Sequence, residues 1–133
     1  MVPLKLMTRA FVRFARKERV PGAALAEAVE RIGEGSIDAD LGGGLFKQRV
    51  ARPGQGRSGG WRTIIVYRSG ERAIFVHGFA KSAKSNLSPK ELAELKRLAG
   101  VILAMKTKDV RVMIESGDWI EVNEGDGGEA LQE

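Results

Sequence analysis

The chain has 133 residues, 43% of them hydrophobic and 29% charged, with 22 Lys and Arg against 17 Asp and Glu for a formal net charge of +5. This length buries one hydrophobic core and suits a single domain. With no cysteine and one histidine, His77, the sequence excludes disulfides, thiol nucleophiles and Cys- or His-rich metal sites, so no metal and no cofactor are expected.

The opening residues, MVPLKLMTRAF, hold no long apolar run followed by a small-residue cleavage site, and no apolar run long enough to span a bilayer occurs anywhere. The expectation is a cytoplasmic protein without signal peptide or membrane span. Residues 3–7 alternate weakly and predict a short first strand. Thr8 is a good N-cap for RAFVRFARKER, whose Phe11, Phe14 and Ala15 fall on one helical face. Val20-Pro21-Gly22 breaks that helix and Pro21 suits the start of another. Ala24, Leu25, Ala28, Val29 and Ile32 form its apolar stripe, and Gly33 and Gly35 end it. Two short helices in succession predict a helical hairpin.

The pattern then changes to strands. LFKQRVA (45–51) places Lys47 and Arg49 on one face and Phe46, Gln48 and Val50 on the other. GWRTIIVYR (60–68) is β-branched and aromatic; Arg62, Ile64 and Val66 share one face, and Trp61, Thr63, Ile65 and Tyr67 the other. Ser69-Gly70-Glu71 reads as a tight turn into RAIFVHGFAK (72–81), where alternation puts Ile74, Val76 and Gly78 opposite Phe75, His77 and Phe79. Short connections make these three strands an antiparallel meander. Ser88, Pro89 and Glu91 form a capping-box start for a helix whose Leu92, Leu95, Leu98 and Ala99 share a face. DVRVMIESG predicts a further short helix and DWIEV a terminal strand. The expected fold is α+β, one domain over residues 1–122 with helices on one sheet face, followed by a disordered acidic tail at 123–133.

Charge is unevenly distributed. Between Leu41 and Lys90 there are ten Lys or Arg residues and a single acid, Glu71, whereas Glu115 to Glu133 holds seven acids and no base. Such asymmetry points to a polyanionic partner, most often nucleic acid. Within the basic block, RVARPGQGRSGGWR (49–62) contains Gly54-x-Gly56-x-x-Gly59. The dinucleotide fingerprint needs a helix after its glycines; here a strand follows, and no acid occurs at positions 72–90. A Walker-type loop needs Lys where Gly60 stands. The glycines therefore turn the chain, and the arginines around them seek phosphate. Lys47, Arg49, Arg62, Lys81 and Lys84 gather on the sheet face left open, with Arg52 and Arg57 at the lip of the loop; the competing reading is a set of separately solvated charges. His77, mid-strand between apolar residues, reads as a packed, hydrogen-bonded histidine, and Trp61 and Trp119 as core or hairpin-supporting residues.

LGGGLFKQRVARPGQGRSGGWRTIIVYRSGERAIFVHGFAKSAKSNLSPKELAELKRLA, residues 41–99, resembles the RelE/ParE superfamily of toxins from type II toxin–antitoxin systems, in its RelE-like, HigB-related branch. The basic strand, the SGG-aromatic-Arg start of the next strand and GFAKSAKSNLSPKEL carry the likeness. It implies a small RelE-like microbial RNase fold, a helical hairpin packed on a twisted antiparallel sheet with a C-terminal helix. It also implies ribosome-dependent mRNA cleavage and translation inhibition, with neutralisation by an antitoxin, often of helix-turn-helix type. The family's basic pair matches Lys47 and Arg49, its strand-start arginine Arg62, and its later basic residues Lys81 and Lys84; Arg52, Arg57 and Arg68 are expected to bind RNA. The tyrosine that the best-known members place near the scissile phosphate has no match, Leu87 or Ser88 standing nearby, and Ser82 replaces a second arginine. Metal-free cleavage by the RNA 2′-hydroxyl needs a base, an acid and cations for the phosphorane. A lysine crowded by cations loses preference for its charged form, so Lys47 or Lys81 is the expected base, with Arg49 and Arg62 stabilising the transition state. The alternative is a non-cleaving nucleic-acid-binding protein or a ParE-like inhibitor of gyrase.

Overall fold

The computed structural model describes residues 3–52, 54, 56–81 and 86–125. Its elements run β1 (Leu4–Thr8), α1 (Arg9–Glu18), α2 (Gly22–Gly33), β2 (Ala39–Gly42), β3 (Leu45–Arg52), β4 (Gly56–Arg68), β5 (Arg72–Ala80), α3 (Pro89–Ala104), α4 (Thr107–Glu115) and β6 (Trp119–Glu121). The strands form one sheet in the order β2-β3-β4-β5-β1-β6. The β2–β5 portion is an antiparallel meander, as short connections require, while β1 runs parallel to β5 and antiparallel to β6. The sheet is therefore mixed, in an α+β fold.

Local signals act where the sequence places them. Thr8 accepts the Phe11 amide at 3.1 Å and starts α1; Ser88 and Glu91 form the capping box of α3, with Pro89 in its first turn. β2 had no predicted counterpart. Its four residues are too short to show alternation, but the Gly42-Gly43-Gly44 turn that follows, with φ of 90°, 63° and 81°, is a hairpin signature only glycine adopts freely.

Helices cover both sheet faces, not one. Phe11, Val12 and Ala15 of α1 and Leu25, Ala28, Val29 and Ile32 of α2 bury against Met7, Val50, Trp61, Ile65 and Phe75. On the other face Ala99 and Ile102 of α3, Val110 of α4 and Trp119 meet Leu6, Leu45, Ile64, Val66, Ile74 and Val76. Leu98, which spacing alone puts in the α3 stripe, is 38% exposed, and Ile102 takes its place in the core. The strand after the turn also departs from simple alternation. Ile65 pairs with Phe75 but Ile64 pairs with His77, leaving Val76 as the extra residue of a β-bulge. His77 and Phe79 consequently lie on the α3 side of the sheet. Gly78 faces α1, where a Cβ would come within 2.5 Å of the Phe14 ring and 3.0 Å of Phe11.

Of the acidic tail, residues 126–133 lie outside the described residues, and Glu124 pairs with the buried Lys5 at 3.1 Å. No helix among the described residues is long and apolar enough to cross a membrane. The cap of α3 gives a direct expectation: Ser88→Ala lowers unfolding free energy by about 1 kcal/mol in a urea titration, whereas Ser88→Asp, which caps as well, leaves it within a few tenths.

Candidate nucleic-acid interface

Register fixes which cations meet. On β3, Leu45, Lys47 and Arg49 point to the α3 side, and Phe46, Gln48 and Val50 to the α2 side, where Gln48 donates to the Ala28 carbonyl at 3.0 Å. Lys47 lies opposite Ile64, which lies opposite His77; Arg49 lies opposite Arg62, which lies opposite Phe79. Two rows of side chains thus cross three strands on one face. Helix α3 covers the row ends near Leu45, Val66 and Ile74 with its apolar stripe but begins only at Pro89, so Arg49 stays exposed and Lys47 partly so. Helices on both faces overturn the expectation of an open sheet face; at this end Arg49 is exposed, Lys47 partly so, and Arg62 buried.

The Arg49–Arg62 pair is costly. Like charges directly opposite each other on neighbouring strands destabilise a sheet, and Arg62 is only 8% exposed. Its guanidinium lies below the usual arginine pKa because burial strips its water and Arg49 repels it, with Asp38 opposing the shift. An anion placed between the two arginines relieves both effects.

The backbone beneath is tied down. Just before β2, Asp38 Oδ2 accepts the Arg49 amide at 2.6 Å, and the Arg31 guanidinium donates to the Arg49 carbonyl. Arg31 is itself buried and held by Glu27 at 3.1 Å and Asp38 at 3.5 Å. The Arg49 backbone is thereby fixed independently of its exposed side chain. Lys47 Nζ donates to Asn86 Oδ1 at 3.2 Å, on the segment leading into α3.

The other expected residues divide. Lys81 follows the last residue of β5, exposed, its amide donating to the Gly60 carbonyl at 3.2 Å beside the same end of the sheet. Arg52 is not brought to the patch: its guanidinium stacks over Trp61 at 5.5 Å, on the α1 side, where the Trp61 indole donates to Glu18 at 3.0 Å. Arg68 is at the far end of β4, six residues or roughly 20 Å from Arg62, bonded to the Leu103 carbonyl at 3.0 Å and paired with Glu71 at 3.3 Å. Lys84 and the Arg57 side chain lie outside the described residues.

Sequence reasoning missed two groups here, His77 and Glu91. His77 Nε2 stands 4.0 Å from Glu91 Oε2, with the imidazole 6.1 Å from the Phe79 ring. The other carboxylate oxygen, Oε1, accepts the Ser88 amide at 2.8 Å. The capping box was legible and locates Glu91; the bulge that turns His77 toward it leaves no mark in composition. Among the described residues no group of three or more His, Asp or Glu could hold a metal ion.

A family model described as the RelE toxin of the RelE/RelB toxin–antitoxin system matches residues 5–122. No curated protein matches the chain.

Proposed function

The chain belongs to the RelE toxin family, and from that premise we propose that it is an mRNA endonuclease, acting on ribosome-bound message and inhibiting translation in the cytoplasm. The observation that carries this reading is the Arg49–Arg62 pair, directly opposite across β3 and β4 and beside Lys47, with Arg49 exposed. Two arginines at that spacing bind the non-bridging oxygens of one phosphodiester and stabilise the extra negative charge of the phosphorane. The RNA 2′-hydroxyl is the nucleophile, attack on the adjacent phosphorus expels the 5′-oxygen, and the products are a 2′,3′-cyclic phosphate and a 5′-hydroxyl. Lys47 and Lys81 flank the arginines as further phosphate ligands.

The partner implied by membership in a toxin–antitoxin family is an antitoxin. We take it to be a protein of helix-turn-helix type that covers the basic face and brings acidic groups to Arg49 and Arg62.

Induced expression in bacteria, followed by mapping of message 5′ ends, tests the activity. New ends in phase with codons, bearing 5′-hydroxyls and disappearing when translation is blocked before elongation, are expected. Intact message with double-strand DNA breaks would instead assign a gyrase poison, and intact message without breaks a binding role.

A further inference from the structure

Metal-independent cleavage by a 2′-hydroxyl needs a group that removes its proton, and arginines do not serve: they stay protonated. Lys47 lies among cations, and its Nζ is engaged with Asn86 Oδ1 at 3.2 Å. The same face carries one side chain suited to the task. His77 sits one row along from Arg62, on the strand next to it, a diagonal of roughly 7–8 Å between Cα atoms. It is partly buried, 34% exposed at the side chain.

What distinguishes this histidine is the group behind it. Glu91 Oε2 lies 4.0 Å from Nε2, an ion pair once the ring is charged. Glu91 does not swing freely, because Oε1 holds the Ser88 amide in the cap of α3 and the Glu91 amide in turn donates to Ser88 Oγ at 3.1 Å. A carboxylate fixed in this way stabilises the imidazolium that forms when the ring accepts a proton, as the third member of a catalytic triad does. Among the described residues, the charged groups on the elements around His77 are Glu91 from α3, Lys47 and Arg49 from β3, Arg62 from β4 and Lys81 after β5, with Asp38 acting on Arg62. Glu91 is the carboxylate paired with the imidazole.

We propose that His77 is the general base of the cleavage, with Glu91 as its positioning residue. This rests on the nuclease reading above. The neutral imidazole takes the 2′-hydroxyl proton as the 2′-oxygen bonds to phosphorus, and the imidazolium pairs with Glu91. The P–O5′ bond breaks with its electron pair on oxygen, and an ammonium of the patch, Lys47 or Lys81, supplies that oxygen's proton. Proton exchange through water resets both groups. Lysine thus moves from the role of base, expected from the sequence, to that of acid.

The test measures single-turnover cleavage of message on programmed ribosomes, from about pH 5.5 to pH 8.5, across the range in which imidazole changes charge. For the native chain the rate is expected to rise with pH and level off, because only the neutral ring accepts a proton. His77→Ala is expected to cut about 100-fold more slowly, to lose the acidic limb, and to recover in part with added imidazole. Glu91→Gln keeps the capping box, which accepts either residue. Without the carboxylate the charged ring is less favoured, so its acidic limb moves to lower pH while the plateau falls only a few-fold. Circular dichroism and ribosome binding establish that each variant is folded and engaged. A folded His77→Ala chain that cuts at the native rate with the native pH profile overturns the assignment. So does a Glu91→Gln limb that stays in place. If the native chain itself leaves ribosome-bound message intact, the nuclease reading fails, and this inference fails with it.

Discussion

Replacing Arg62 with alanine is expected to lower the rate of message cleavage about 1000-fold, the size of effect seen when a preorganised donor to a developing oxyanion is removed, and to end growth arrest in bacteria. In the free protein Arg62 is buried opposite Arg49, so alanine removes their repulsion but also a buried side chain and its attraction to Asp38. Activity is therefore compared on protein shown by circular dichroism to be folded, and the loss of cleavage is expected to exceed any loss of folded chain. The control is Arg72, 3% exposed and bonded to the Ile102 carbonyl at 3.1 Å; its truncation removes that bond and a buried side chain away from the patch, and lowers stability. A stable Arg62→Ala chain that still arrests growth would remove Arg62 from the chemistry.

Gly60→Ala is expected to destabilise the fold by about 3 kcal/mol, at the upper end of what overpacking costs, and to lower the melting temperature on the order of 10 °C. A Cβ at Gly60 would lie 2.2 Å from the Val50 carbonyl oxygen and 2.9 Å from the Arg52 amide nitrogen. Both are backbone atoms, so no rotamer change relieves the clash, and β3 would have to separate from β4 beside the Arg49–Arg62 pair. Gly54 is the comparison. Its φ of 81° is the left-handed region, yet nothing lies within 4 Å of the missing Cβ. Gly54→Ala should cost only about 1 kcal/mol of conformational strain, and Gly54→Asn less. Thermal melts of the three variants check the ranking; equal melting temperatures for Gly60→Ala and the native chain would refute the close approach.

These two glycines show what was legible. The dinucleotide pattern fails because its last glycines belong to a strand, and the structure extends that strand back to Gly56. Lys47, Arg49 and Arg62 could be placed on a common face by counting alternate residues, since β3 and the middle of β4 are regular. Caps, the β4–β5 turn and the α3 start are likewise local and were readable. Non-local pairing was not. That β1 inserts between β5 and β6, and that α3 and α4 return to the second sheet face, depend on contacts between segments far apart in the chain. Arg52 was placed by its charge alone, although alternation along β3 already puts it on the side of Gln48 and Val50, where its guanidinium stacks over the Trp61 ring.

The bulge at Val76 has a consequence for comparing this chain with others. Upstream of it, β5 presents its odd and even residues to one pair of sides; downstream, the assignment is exchanged. A relative lacking the extra residue would match this chain across β5 only with a one-position gap opposite Val76. Without that gap, His77 and Phe79 would be set against residues that pack under α1, and the imidazole's true counterpart would be sought one column away. The same holds for inheritance. Gain or loss of a single codon at this point exchanges every side chain beyond it in one step, a change that a series of substitutions would reach only through several poorly packed intermediates.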